Sequence, residues 1–347
     1  MAVVEVVSSR LPRAGRPVVV CPLPHKPFRQ RCRVHARLFG GGNVTFPVAQ
    51  YFQPLCPLDR PTDEERYLAI DSSVEMFTEF TDSFDNPADW MASGHLIVVT
   101  GDRGYGKTSL IQRCAYWLKS QQQQVCEMVV LDLSAENWPP EAEDERIKRT
   151  FGRIIDKLRA SLPDEEISKL KGHLHDINDS FYYLGQALKT GQSSVDLTAQ
   201  SIALVVLLPS YPTASEVTRY YNLACPGTFF FAEIYDVEDT RKVKSAIPSF
   251  NTGRTDIHHL AMSVLKSGDA KLIAAWIRNE RPGQPELSNR VVRDRLESLI
   301  KQRKISVSEL NRLAWGVLRF AAREAADRVT DKHFAQYYEE LLFPDPA

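Results

Sequence analysis

The stretch of this chain that most limits its fold is the octapeptide GDRGYGKT at residues 101–108. The apolar run His95–Thr100 precedes it and is typical of a buried strand, and residues 109–118 carry apolar side chains at helical spacing. A strand, a glycine-rich loop with Gly-Lys-Thr and a helix, in that order, form the context in which such a loop holds phosphate. The sequence therefore predicts a nucleotide-binding loop.

Each residue type in this loop has a physical role. Glycines let the backbone wrap so that N–H groups point inward at an anion, and the following helix directs its positive end to the same place. Lys107 is expected to reach the β- and γ-phosphates, and the Thr108 hydroxyl to bind Mg²⁺. The predicted nucleotide-binding residues here are Gly101, Asp102, Arg103, Gly104, Tyr105, Gly106, Lys107, Thr108 and Ser109.

The bulk composition excludes several other classes of protein. The chain has 347 residues, enough for one large or two modest domains, and its formal net charge of −1 gives no overall attraction to nucleic acid or membrane. Its six cysteines are scattered without the spacing of a secreted disulfide framework. No apolar run approaches the roughly 20 residues that span a bilayer. We expect a cytoplasmic protein without membrane contact.

The first 50 residues differ from the rest. Between Met1 and Gly40 there are eight lysines and arginines but a single acid, Glu5, and five prolines interrupt any helix. This composition predicts a basic, mostly disordered tail over residues 1–50. A basic, acid-poor start also occurs in organelle transit segments, but no convincing amphipathic helix accompanies it here.

The tail contains one arrangement of zinc-ligand residue types. Cys21, His25, Cys32 and His35 follow a C-x3-H-x6-C-x2-H pattern. Its central spacing is too short for an ordinary zinc finger, so a tail with incidental cysteines is the favoured interpretation.

From residue 51 strands alternate with helices. Strands are predicted at 127–134, 202–208 and 228–235, and helices at 141–162, 164–188 and 214–223. This alternation is typical of an α/β fold with a parallel sheet covered on both faces. Together with the phosphate loop it predicts a three-layer P-loop NTPase domain over residues 51–258, with a helical insertion around 141–190.

Towards the carboxyl end the pattern becomes helical. Helices are predicted at 257–267, 271–279, 287–301, 307–328 and 331–342. We expect these to form a separate helical lid domain over residues 259–347.

The P-loop resembles that of AAA+ and STAND-type ATPases, nearest to origin-recognition-type ATPases. Ala314–Ala322 and the following Val329–His333 are similar to that family's helical lid, in which Gly-x-x-Arg places a "sensor 2" arginine against the γ-phosphate. Arg319 matches that position. Arg66 and Tyr67 are similar to the segment that packs on adenine. The resemblance implies ATP and Mg²⁺ as cofactors.

The chain departs from this family at the third strand, which should end in two acids that order Mg²⁺ and activate water. Here it ends Leu207-Leu208-Pro209-Ser210, so its Walker B motif is degenerate. Asp132 and Glu233 also end strands, and the carboxyl ends of parallel strands meet at the ligand site. Both are candidate catalytic acids, although Asp132 is equally suited to capping a turn. An acid such as Glu233 is costly to bury in so apolar a strand, which favours a role for it at the site.

Other candidates carry less weight. Glu216 and Asp236 are typical of solvated helix and loop positions. Arg254 lies where the family often has an arginine finger, although a plain surface arginine is favoured. His258 and His259 are adjacent, so their side chains diverge and make a poor joint metal site.

Two functions remain open from the sequence. The first is an ATP-binding, nucleotide-dependent switch with slow ATPase activity, whose partners are ATP or ADP and another protein or a second copy of the chain. The second is a nucleotide-binding scaffold or regulator without significant hydrolysis. Nucleic-acid binding follows only by analogy with the origin-type relatives.

Overall fold

A five-stranded sheet lies at the centre of the fold. Its strands are β1 (Gly94–Thr100), β2 (Glu127–Asp132), β3 (Ile202–Leu207), β4 (Thr228–Ile234) and β5 (Thr255–Ala261). They lie in the order β2-β3-β4-β1-β5, and every pairing is parallel. The phosphate-loop strand β1 therefore has a neighbour on each side, and all seven of its residues are buried.

The computed structural model describes residues 54–86, 90–122, 126–136, 138, 143–172, 197–235, 241–243, 245, 255–280, 285–303 and 305–342. All of them belong to one compact unit, Phe52–Ala347. The predicted basic tail with its cysteines and histidines, Asp236, Arg254 and the later part of the predicted insertion lie outside the described residues.

Helices follow most strands. Those of the sheet region are α1 (Ser73–Ser83), α2 (Lys107–Gln122), α3 (Glu143–Leu158), α4 (Asp164–Gly172) and α5 (Ala214–Leu223). A 3₁₀ helix, Pro61–Arg66, precedes them. The later helices are α6 (Asp269–Glu280), α7 (Asn289–Val291), α8 (Glu297–Arg303), α9 (Val307–Arg323) and α10 (Asp331–Leu342), with a π-helical turn at Val292–Leu296.

The strands are apolar on both faces because helices cover both. Along β1, Leu96 and Val98 join one core with α3, α4 and α5, whereas Ile97 and Val99 join a second core with α1 and α2. Alternate residues of a strand point to opposite faces, which explains the division. The predicted three-layer P-loop NTPase fold is thereby confirmed.

One predicted helix is wrong. Residues 257–267 have the composition of a helix, but Thr255–Ala261 forms strand β5 along the whole of β1. As an edge strand it has one neighbour, so its burial is uneven: Leu260 is buried and Ile257 exposed. The backbone hydrogen bonds to β1 outweigh local propensity here.

The carboxyl-terminal helices are joined by a two-stranded parallel ladder, β6 (Glu286–Leu287) and β7 (Arg328–Val329). The predicted helices at 287–301 and 307–328 are therefore each shortened at the end where a strand forms. Helix α9 begins at a capping box in which Ser306 and Glu309 exchange hydrogen bonds, a signal present in the sequence.

Among the described residues, no helix combines the length and apolar character that crossing a membrane requires.

A buried histidine lies under the amino end of β1. His95 is only 4% exposed, and its Nε2 lies 3.0 Å from the Trp90 carbonyl oxygen, to which it donates. Nδ1 is then unprotonated, 3.8 Å from Asp256. Burial, with a smaller contribution from His258, lowers the pKa of His95 to about 4.

We expect the free energy of unfolding to fall as the pH drops from 6.5 to about 4, because the unfolded chain binds a proton at His95 there and the folded chain does not. The loss from this group is roughly 3 kcal/mol. Denaturant titrations across this range, on the wild type and on His95→Phe, measure it. Since other buried groups titrate nearby, the difference between the two proteins isolates His95, and equal slopes would contradict the assignment.

Candidate nucleotide-binding site

The glycine-rich loop lies between the carboxyl end of β1 and the first residue of α2. Gly104 and Gly106 adopt positive φ angles of 86° and 81°, which other residues reach only with strain. The Tyr105 side chain is buried, and its hydroxyl donates to the Asp102 carboxylate at 3.1 Å. Asp102 and Arg103 are exposed. The loop thus has the wrapped backbone that phosphate binding requires.

Lys107 points into this loop. Its Nζ donates to the carbonyl oxygens of Gly101 at 2.7 Å and Asp102 at 2.8 Å. It lies 3.9 Å from Glu233 Oε1 and 3.8 Å from the centre of the Tyr235 ring. Burial lowers the pKa of Lys107 to about 8, against the opposing effect of the Glu233 and Asp102 carboxylates. Carbonyl oxygens, a carboxylate and an aromatic ring of the protein therefore stabilise the ammonium group.

Thr108 and Glu233 are brought together by the strand order. Glu233 lies on β4, directly beside Val99 of β1. The Thr108 hydroxyl donates to Glu233 Oε2 at 2.8 Å. The Glu233 side chain is only 7% exposed, and its two oxygens face the two loop residues predicted to serve phosphate and cation.

The end of β3 has a structural role in place of the missing acids. The Ser210 hydroxyl donates to the Ser134 carbonyl at 2.6 Å, and Arg146 Nη2 donates to the Ser210 carbonyl at 3.1 Å. Arg146 also forms an ion pair with Glu216, Nε to Oε2 at 3.2 Å, with both side chains almost fully buried. Burial raises the pKa of Glu216 to about 7, although Arg146 opposes the shift. Glu216, predicted to be solvated, is in fact buried because this pair neutralises it.

Asp132 ends β2, which β3 and β4 separate from β1. Its carboxylate accepts from Gln112 Nε2 at 2.6 Å and from the Ser134 backbone N–H at 2.9 Å. The first bond ties the end of β2 to the phosphate-loop helix, and the second caps the following turn. Both bonds agree with a structural role for Asp132, such as capping the turn, which the sequence offers as the alternative to a catalytic one.

Arg66 and Tyr67 pack beside the loop. The Tyr67 hydroxyl donates to the Ser109 carbonyl oxygen at 2.6 Å. Arg66 donates to Asp63 at 2.8 Å, and its guanidinium lies 5.8 Å from the Trp276 ring of α6. This segment therefore joins the phosphate-loop helix to the helical region that follows the sheet.

Helix α9 meets the phosphate loop at its amino end. The Ser308 backbone N–H donates to the Gly104 carbonyl oxygen at 3.1 Å. A methyl group on Gly104 would lie 2.8 Å from Ser306 Oγ and 3.0 Å from Ser308 Cβ. The tip of the loop and the start of α9 are thus in direct contact.

This contact bears on Arg319, the predicted sensor arginine. At 1.5 Å per residue, Arg319 lies about 16 Å along the axis from Ser308, and Arg312 only about 6 Å. The Arg319 guanidinium lies 5.3 Å from the Phe320 ring, whereas the Arg312 side chain is exposed. Sequence reasoning missed Arg312, because only the tertiary contact shows which end of the helix meets the loop.

The two histidines of β5 diverge, as expected of adjacent strand residues. His259 Nε2 lies 2.9 Å from the Thr100 hydroxyl, whereas the His258 ring packs 4.5 Å from that of Phe84. Within the described part of the chain, no three His, Cys, Asp or Glu side chains gather as a metal site would require. The Thr108 and Glu233 pair is a different case, since Mg²⁺ needs only one or two protein oxygens.

Comparison with known proteins gives structural likenesses only. No family model and no curated protein matches the sequence. Among solved structures, the chain is similar to Aeropyrum pernix ORC2 in its ADPNP and ADP complexes, with 13% identity, a TM-score of 0.48, and coverage of 77% of this chain and 66% of that one. It thus spans just under two thirds of that protein.

Two further likenesses are of the same kind. Drosophila ORC bound to DNA has 10% identity and a TM-score of 0.49, covering 92% of this chain and 70% of that one. Cdc6p from Pyrobaculum aerophilum has 11% identity and a TM-score of 0.48, covering 86% and 74%. At these identities and scores the likenesses carry no argument about function.

Gly104→Ala should destabilise the chain more than Gly106→Ala. Both glycines have nearly the same positive φ, so backbone strain is matched, but a methyl group on Gly106 meets no atom within 4 Å. The difference, about 1–2 kcal/mol, is the overpacking against α9. Denaturant unfolding without nucleotide measures it. Equal losses would mean that the loop and α9 do not depend on each other.

Proposed function

We propose that this chain binds a nucleoside phosphate with Mg²⁺ at the loop 101–108 and works as a nucleotide-dependent switch with slow hydrolysis. The observation that carries the proposal is the 2.8 Å hydrogen bond from Thr108 to Glu233 beside Lys107. ATP is the proposed nucleotide because of the resemblance to AAA+ ATPases.

Glu233 is the proposed substitute for the cation-ordering acid that β3 lacks. The Thr108 hydroxyl gives its single hydrogen to Glu233, so its oxygen lone pairs remain available to a cation. A hydroxyl and a carboxylate are hard oxygen donors of the kind that Mg²⁺ takes, so the residues present fit the ion. Bound there, Mg²⁺ would neutralise charge on the phosphates.

Slow turnover is proposed because β3 ends in Leu207-Leu208-Pro209-Ser210 and lacks the two acids that the family resemblance implies there. Glu233 is engaged with Thr108 and Lys107, and the end of β3 is occupied by the Arg146 contacts. Of the groups that ordinarily act in phosphoryl transfer, positioning and charge stabilisation would remain, but the water-orienting acid expected at the end of β3 would not. The same observation supports the second candidate, a nucleotide-binding scaffold without significant hydrolysis.

The switch is proposed to act through α9. Because the Gly104 carbonyl accepts from Ser308 at the start of this helix, a change in the loop on phosphate binding would be felt there directly. A partner protein or second copy contacting the carboxyl-terminal helices would then respond to the nucleotide.

Lys107→Ala should weaken nucleotide affinity by about 10- to 100-fold, since it removes a charge-assisted contact to phosphate. Glu233→Gln should abolish the dependence of binding on Mg²⁺ and any turnover. Asp132→Asn is the matched control, because it alters the other candidate acid away from the loop. Calorimetric titration with ADP and with a non-hydrolysable ATP analogue, each with and without Mg²⁺, gives the affinities, and phosphate release gives the turnover.

The outcomes separate the two candidates. Turnover that Lys107→Ala and Glu233→Gln both remove supports the ATPase switch. Binding without turnover supports the scaffold. Unchanged affinity in Lys107→Ala would contradict both.

Arg312→Ala should weaken binding of the triphosphate analogue several-fold more than Arg319→Ala, because Arg312 lies nearer the end of α9 that meets the loop. The readout is the ratio of analogue affinity to ADP affinity in each variant, which cancels losses common to both nucleotides. A larger effect of Arg319→Ala would instead support the role implied by the family resemblance.

A further inference from the structure

Two tyrosines beside the phosphate loop take no part in the function proposed above. Tyr235 directly follows β4, two residues after Glu233, and Tyr211 follows the end of β3. Their rings stack with centres 4.4 Å apart and planes inclined by 20°. Both therefore lie at the carboxyl edge of the sheet, where ligands of such sheets bind.

Tyr235 is held from three sides. Its ring faces the Lys107 ammonium at 3.8 Å, a cation–π contact inside a desolvated site. Burial, with the charge of the nearby Glu233 carboxylate, raises the pKa of its phenol above the ordinary range. Tyr211 covers the other face of the ring.

Tyr211, which stacks on Tyr235, is unusual in its exposure and in its backbone conformation. Its side chain is 45% exposed, and its φ of 61° lies in the left-handed region that non-glycine residues adopt at a cost. Such strain persists where the surroundings impose it, and it concentrates at ligand-binding sites. This exposed residue keeps a strained backbone and stacks on Tyr235, as expected if the pair has a function.

The ring of Tyr235 occupies the contact that a γ-phosphate needs. The inner phosphates of a nucleotide are held largely by loop N–H groups, whereas the terminal one depends on the lysine. To reach it, Lys107 must give up the aromatic ring, together with its hydrogen bonds to the carbonyl oxygens of Gly101 and Asp102, for phosphate oxygens. A diphosphate has no γ-phosphate, so its binding depends less on Lys107 leaving these contacts.

We propose that Tyr235, supported by Tyr211, sets the preference of this loop for nucleoside diphosphates over triphosphates by competing with the γ-phosphate for Lys107. This inference rests on the proposed nucleotide binding and deepens it. The resting protein would favour the diphosphate, and a triphosphate would bind fully only when the tyrosine pair moves aside.

The test is calorimetric titration of the full chain with Mg²⁺-ADP and a non-hydrolysable Mg²⁺-ATP analogue. Removing the ring in Tyr235→Ala should shift the ratio of affinities about five- to thirtyfold towards the triphosphate. Tyr235→Phe keeps the ring and should leave the ratio within about twofold. Tyr211→Ala, which alters an exposed side chain, should give a smaller shift in the same direction.

Tyr338 supplies the control, since it is a similarly exposed tyrosine beside another tyrosine, Tyr337, but on α10. Tyr338→Ala should leave the ratio unchanged. If both nucleotides bind and neither Tyr235→Ala nor Tyr211→Ala shifts the ratio, the inference is wrong while the proposed function stands. If the wild type binds neither nucleotide, both are wrong. Should Tyr235→Ala fail to fold by circular dichroism, the Tyr211→Ala ratio decides.

Discussion

The rest of this site depends on how the chain keeps a positive charge inside protein. Taking an ammonium group out of water costs several kcal/mol unless dipoles and opposite charge surround it. Around Lys107 they do: two loop carbonyls accept its hydrogens, Glu233 lies 3.9 Å away, and the ring of Tyr235 presents its negative face. One requirement, the stabilisation of the buried Lys107 ammonium, therefore explains three features. They are the glycines of the loop, the acid Glu233 inside an apolar strand, and Tyr235 directly after that strand.

The sheet order explains why a β4 residue can supply the acid. Strand β4 lies between β1 and β3, so its end is nearer to the phosphate loop than the end of β3. An acid there reaches Thr108 directly. The end of β3 has a structural contact instead, because Arg146 of α3 donates to the Ser210 carbonyl and pairs with Glu216 of α5. A degenerate Walker B motif is therefore compatible with an acid at the site.

Much of the fold was predictable because its signals are local. The phosphate loop, the alternation of strands and helices, and Glu233 as a misplaced acid all stand out along the sequence. Features that depend on contact between two distant segments cannot be predicted in this way. The sequence of β5 by itself predicts a helix, because the pairing with β1 that makes it a strand has no local signal. The stacking of Tyr211 on Tyr235 joins the ends of two strands, and the contact of Ser308 with Gly104 joins the loop to α9. Neither pair has a local signature.

The position of β1 inside the sheet, between β4 and β5, also affects how the protein folds during synthesis. Val98 pairs with Ala232 on one side and with His259 on the other, both more than a hundred residues further along the chain. During synthesis this apolar strand therefore stays unpaired until β4 and β5 have been made. Non-local pairings of this kind form slowly. A fragment ending before Thr255 would leave one edge of β1 open to pairing with another chain, so aggregation is its expected fate.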